Sequence, residues 1–196
     1  AQNLQDIVRD TQGWVSGVVI ACDLYRRGAQ GAGQMRLTGL RPEFAEYFHE
    51  EVLGQQPDDV RRFLVDTSIL DELTPSACAA VTGNDDARAM LDRVFREGLF
   101  LNPIDQEHGR YAYHRLFRDM VLGRLMDRAP ARAAMMHCRA SDHFAATGDI
   151  LKAVEHARLS GDQAFLAGQL DRLAEQLTYS GYLYRIDELG AELPWA

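Results

Sequence analysis

The sequence predicts a mainly helical fold interrupted by one short β-hairpin, and three observations carry that reading. Leu, Ala, Arg, Glu and Asp are abundant and only 6 of the 196 residues are Pro, a composition that favours helix over strand. Apolar residues recur at helical spacing through most of the chain, as in Phe44, Tyr47, Phe48 and Val52. Residues 99–115 alone change period: a short apolar run from Leu99 to Ile104, a polar turn from Asp105 to Gly109, then Tyr111 and Tyr113 alternating with smaller residues.

Taken in order, residues 3–26 read as one or two helices broken at Gly13, with Leu4, Ile7 and Val8 before it and Val18, Val19, Cys22 and Tyr25 after it. Gly28 to Gly39 has no hydrophobic period and reads as a flexible linker. Pro42 suits the first turn of a helix that runs to about Gly54. Pro57-Asp58-Asp59 opens the next, because acids complement the free N–H groups and dipole of a helix start. Val60, Phe63, Leu64 and Thr67 continue it. Thr74-Pro75 starts a short helix stopped by Gly83, and Asn84 or Asp85 is expected to cap the one after it, whose face is Ala87, Met90, Leu91, Val94 and Phe95. Three or four helices followed by a hairpin is the layout of a winged-helix domain. From Leu116 onward the chain is helical again, punctuated at Gly148-Asp149, Gly161-Asp162 and Gly181. Its short, alanine-rich segments (140–146, 151–157, Leu166 to Leu177, 183–189) fit stacked helical hairpins of the tetratricopeptide type, with an ordinary helical bundle as the alternative.

Several function classes are excluded on chemistry. The net charge is −8 and the basic residues form only short pairs such as Arg26-Arg27 and Arg61-Arg62, whereas a nucleic-acid surface needs clustered Lys and Arg. The helix over Thr74 to Val81, taken as the one placed to read DNA, holds no Lys or Arg. Cys22, Cys78 and Cys138 are scattered and odd in number, which speaks against a disulfide framework or zinc knuckle and for a reducing, cytoplasmic setting. The best apolar run, Trp14 to Cys22, is too short to span a bilayer. His137 and His143 bracket Cys138 and Asp142, but positions six apart lie on different sides of a helix, so no metal site is expected there. His108 and His156 suggest nothing more, and no nucleophile–base arrangement has motif context. No catalytic apparatus and no bound cofactor are expected in this chain.

A series of blocks in fixed order adds a family resemblance. Gly13-Trp14-Val15-Ser16-Gly17 is followed by Tyr47-Phe48-His49-Glu50-Glu51-Val52-Leu53, then Pro57, then residues 63–71, Phe63-Leu64-Val65-Asp66-Thr67-Ser68-Ile69-Leu70-Asp71. Ala79-Ala80-Val81-Thr82-Gly83, Gly98-Leu99-Phe100-Leu101 and Tyr111-Ala112-Tyr113-His114-Arg115-Leu116-Phe117 come next. Ser141-Asp142-His143-Phe144, Ala153-Val154-Glu155-His156-Ala157 and Leu193-Pro194 close the order. The whole chain resembles the middle of the large ATP-binding LuxR-type transcription regulators, the MalT-like branch of the STAND ATPases.

That resemblance implies a central piece of a larger cytoplasmic protein. Residues 1–28 would end the helical part of an ATPase module, 29–41 would be a linker, 42–127 a winged-helix domain, and 131–196 the start of a tetratricopeptide-like sensor arm. ATP or ADP would bind the parent protein, whose phosphate loop and basic helix-turn-helix this chain lacks. The implied partners are the protein's own ATPase module and sensor domain and an inducer of unknown chemistry, with no membrane and no direct nucleic-acid contact. The implied site residue is His114, at the start of the helix after the hairpin, which would contact the β-phosphate of ADP and help hold a resting state. A structural histidine at a strand–helix junction is the equal alternative. Arg115 stands where some branches carry aspartate. Trp14 would pack near the nucleotide, or simply anchor a helix beside Gly13. A stand-alone helical-repeat adaptor that binds a partner protein is the alternative for the whole chain.

Overall fold

The computed structural model describes residues 53–98 and 100–179. The expectations for residues 1–52, Trp14 and the linker among them, and for 180–196 lie outside those residues. The described elements are α1 (Asp58–Thr67), α2 (Pro75–Thr82), α3 (Ala87–Arg96), β1 (Leu101–Asp105), β2 (Arg110–Tyr113), α4 (Arg115–Arg128), α5 (Pro130–Thr147), α6 (Ile150–Leu159) and α7 (Gln163–Tyr179).

Helix starts and stops follow local chemistry. α1 opens on Asp58 and Asp59 after Pro57, and buries Val60, Phe63 and Leu64 at i, i+3 and i+4. The Thr74 hydroxyl accepts the Ala77 N–H at 3.1 Å, Pro75 fills the first turn of α2, and Gly83 closes it in the left-handed region at φ 70°. The expected cap of α3 is displaced by one or two positions. Asp86 is the capping residue, with no side-chain cap bond. Asn84 instead turns back on its own loop and accepts the Asp86 N–H at 2.9 Å through Oδ1, a local side chain–backbone bond that competes with capping.

The strands pair antiparallel with Leu101 opposite Tyr113, Asn102 opposite Ala112 and Pro103 opposite Tyr111. A register shift between Pro103 and Asp105 puts Asp105 opposite Arg110. In the turn, Gly109 adopts φ +67°, and a Cβ there would meet the Arg88 guanidinium at 2.9 Å. Leu73 adds a rudimentary third strand: its N–H donates to the Tyr111 carbonyl at 2.7 Å and its carbonyl accepts the Tyr111 N–H at 3.0 Å. With α2, a four-residue turn and α3 ahead of the hairpin, this is the winged-helix arrangement the sequence predicts.

Two apolar clusters organise the described residues. The larger runs from Leu53 through α1–α4 and continues without a break into Ala133, Met136 and Ala140 of α5. The smaller holds Ala153, Val154 and Ala157 of α6 with Leu166, Leu173 and Leu177 of α7. Phe144, near the end of α5, packs against both. α5 is therefore one helix of 18 residues with its first half in the winged-helix core, where the sequence had suggested a short helix from Ala140. The alanines on its inner face let α2 and α6 approach closely.

Candidate functional site

His114 sits where the sequence placed it, as the residue between β2 and α4. Its backbone is held on both sides: its N–H donates to the Phe100 carbonyl at 2.9 Å, and its carbonyl accepts the Arg118 N–H at 3.0 Å. The side chain is buried. Phe100 adopts φ +65°, a left-handed conformation that a bulky residue tolerates only when its surroundings hold it. The hold is aromatic. The Phe100 ring stacks on Phe117 with centroids 4.1 Å apart, and Tyr113 tilts against Phe117 at 5.0 Å. The Tyr113 hydroxyl shares a 2.6 Å hydrogen bond with the Thr67 hydroxyl, and Thr67 also donates to the Phe63 carbonyl at 2.7 Å. Burial pushes the Tyr113 phenol well above its ordinary range, so it is a neutral structural group.

A second constellation ties the winged-helix elements to α5. The Asp66 carboxylate, only 3% exposed, takes the Arg132 guanidinium with Nη2 at 2.7 and 2.8 Å from its two oxygens. Arg139 donates to the Val81 carbonyl at the end of α2 at 3.0 Å. From α4, Arg118 donates to the Ser68 and Ile69 carbonyls at 2.9 and 3.3 Å and pairs with Asp71 at 2.8 Å. Three arginines thus stitch the loop and helix ends of α1 and α2 to α4 and α5.

A third group carries no sequence motif. His137 of α5 and His156 of α6 face each other with Nδ1 atoms 2.9 Å apart, both buried. Phe144 stacks on His156 at 5.3 Å, and the Lys152 ammonium lies 5.2 Å from the Phe144 centroid. Burial pushes both imidazoles down to about 4. His143, six positions from His137, lies apart from this pair and edge-on to Phe144 at 5.4 Å. The available signal was the stripe: His137 follows Ala133 and Met136, and His156 lies among Ala153, Val154 and Ala157, so each occupies the inward face of its helix. Among the described residues no group of three or more His, Cys, Asp or Glu could hold a metal. Burial raises the thiols of Cys78 and Cys138, which makes them poor nucleophiles.

In a helix-turn-helix the second helix is the reader, and here that is α3, not the segment from Thr74 to Val81. α3 carries Arg88, Arg93 and Arg96, but acids stand beside them. Arg93 pairs with Asp59 at 3.0 Å and Glu97 at 3.1 Å, and Arg88 lies 3.5 Å from Asp92. Arg96 donates to the Asp92 carbonyl at 3.1 Å. Carboxylates thus flank Arg88 and Arg93, while the Arg96 guanidinium meets a backbone carbonyl.

Residues 49–133 match the family model of the MalT winged helix domain. This chain is MalT-like. Its hairpin and helices α1–α4 lie within the matched MalT winged helix domain, and the match ends at Ala133, in the first turn of α5. The chain is 27% identical over 189 residues to the HTH-type transcriptional regulator MalT of Cronobacter sakazakii, covering 95% of this chain and 21% of that protein. It is 30% identical over 138 residues to MalT of Vibrio cholerae, covering 70% of this chain and 15% of that protein. It is also 30% identical over 163 residues to the serine/threonine-protein kinase PknK of Mycobacterium tuberculosis strain H37Rv, covering 83% of this chain and 15% of that protein. The chain spans about a fifth or less of the length of these relatives. Within the described residues no helix is long and apolar enough to cross a membrane.

Proposed function

We propose that this chain is the central coupling segment of an ATP-dependent, LuxR-type transcription regulator of the STAND class, relaying state between an ATPase module and an inducer-sensing arm. The observation that carries the reading is α5. Its first half completes the winged-helix core and its second half supports α6 and α7, so a displacement of the arm is delivered to the winged-helix domain as a rigid lever rather than absorbed by a linker. The Asp66–Arg132 and Arg139–Val81 ties stiffen that lever at its base. In this reading ATP or ADP binds the parent protein, α6–α7 begin a tetratricopeptide-like arm, and the protein works in the cytoplasm by a population shift between closed and open forms. His114 is the residue nearest in kind to a nucleotide sensor: an imidazole can donate to a phosphate oxygen. Its neighbours Phe100 and Arg118 hold its backbone at the helix start.

Two measurements on the full-length parent test this. His114→Ala is expected to weaken ADP retention and raise basal transcription; unchanged ADP affinity and unchanged basal activity would sink the sensor role. Arg132→Ala with Arg139→Ala is expected to lower the response to inducer while nucleotide binding persists. A full inducer response in that variant would remove the lever.

A further inference from the structure

We propose that the His137–His156 pair is an acid-sensitive latch that holds α6 and the arm beyond it against α5. The geometry sets the logic. With Nδ1 atoms 2.9 Å apart, one ring must carry its proton on Nδ1 and donate, while the other carries its proton on Nε2 and accepts. A first added proton goes to the Nε2 of the donor ring. The hydrogen bond survives, charge-assisted, but a cation now sits in a buried site. A second proton can go only to the accepting Nδ1. The two N–H groups then point at each other between two imidazolium ions, and the contact must open.

The surroundings place few counter-charges there. From α4, Arg118 opposes protonation of both rings; from α6, Glu155 favours it on both. Asp71, on the loop between α1 and α2, favours a charged His156, and Lys152 opposes it. Asp71 is the strongest of these charges on His156 and is itself paired with Arg118 at 2.8 Å, yet burial outweighs it and keeps the ring neutral. Beside the latch, the Ser141 hydroxyl donates to the Ala153 carbonyl at 2.7 Å and completes the α5–α6 contact. The Phe144 ring covers His156. Opening the pair therefore breaks the packing that joins the smaller apolar cluster to α5, and leaves the winged-helix core, with Ala133, Met136 and Ala140, in place.

The direction with pH follows. Both rings prefer the neutral form when folded, against about 6.5 for a free histidine. The latch is fully closed above that value and weakens as pH falls toward 4. Below the ordinary histidine range the unfolded or opened state binds more protons than the closed one. The latch is local to this chain and does not depend on the nucleotide reading of His114.

The test is amide hydrogen exchange on the 196-residue chain, read as protection factors for α6 and α7 against those for α1–α4. Between about pH 7 and pH 4.5, α6 and α7 are expected to lose at least about tenfold in protection relative to α1–α4. The double variant His137→Gln with His156→Gln keeps hydrogen-bonding amides and removes both titrations, and is expected to abolish that differential loss. Equal losses in wild type and variant, or no differential loss in wild type, overturn the proposal. Nitrogen-15 spectra of the wild-type imidazoles decide the matter even if the variant does not fold. One Nδ1–H ring, one Nε2–H ring and titration below the ordinary range support the latch; two independent titrations near 6.5 refute it.

Discussion

The buried Asp66–Arg132 pair offers the sharpest perturbation, because its two partners are buried so unequally. Asp66 has a side-chain exposure of 4% and Arg132 of 39%. Arg132→Ala strands a carboxylate that water can scarcely reach; Asp66→Ala frees an arginine that can swing into solvent. At an effective dielectric near 20, two unit charges about 4 Å apart attract by about 4 kcal/mol. Losing one partner of a fully buried pair costs about 3–5 kcal/mol. The partial exposure of Arg132 lets water into the vacated space and reduces this, so Arg132→Ala is expected to destabilise the chain by about 2–3 kcal/mol. Asp66→Ala should cost about 1 kcal/mol, and the double variant little more than Asp66→Ala alone. Urea unfolding followed by circular dichroism reads this directly. With a slope of about 2 kcal/mol/M, the midpoint of Arg132→Ala should fall by about 1 M. A loss below about 0.5 kcal/mol for Arg132→Ala, or equal losses for the two single variants, would refute the account of Asp66 as a buried charge that depends on its arginine.

Three further outcomes follow from the same structure. Phe117 is fully buried between Phe100 and Tyr113, so Phe117→Ala is expected to cost about 3–5 kcal/mol in calorimetry. Gly83 and Gly109 both hold left-handed backbone, but a Cβ at Gly83 meets nothing within 4 Å, while one at Gly109 meets the Arg88 guanidinium. Each alanine variant should cost about 1 kcal/mol for its conformation. Gly109→Ala should cost somewhat more unless Arg88 moves aside, and thermal melts of the two variants with Arg88→Ala as a background separate the contributions. Thr74→Ala removes the hydroxyl that accepts the Ala77 N–H and should lower stability by about 1 kcal/mol in the same melts, with Thr74→Ser restoring most of it.

Much of the winged-helix layout was readable without coordinates, for reasons that particular residues show. Thr74-Pro75 and Gly83 mark the ends of α2 through chemistry contained within one turn of chain. Asp105 to Gly109, flanked by Tyr111 and Tyr113, marks the hairpin because strand alternation and turn residues are local signals. Composition alone does not fix the α3 cap, because Asn84, Asp85 and Asp86 are all residue types that cap helices. The choice among them depended on Asn84 bonding the Asp86 N–H. The position of His114 at a strand–helix junction is legible because a strand end and a helix start both fall beside it.

What escaped the sequence involves residues far apart along it. Asp66 reads as one acid on a helix; it becomes a buried charge because Arg132, 66 positions later, reaches it. His137 reads as a histidine near His143; it becomes half of a latch because α5 and α6 fold back on each other and bring His156 opposite, 19 positions on. By itself the sequence determined the periods, caps and turns, since these depend on hydrogen bonds and side-chain spacing within a few residues. Only the tertiary structure decided which buried polar groups meet, and that α5 serves two cores, because such contacts are set by how helices pack rather than by any single helix.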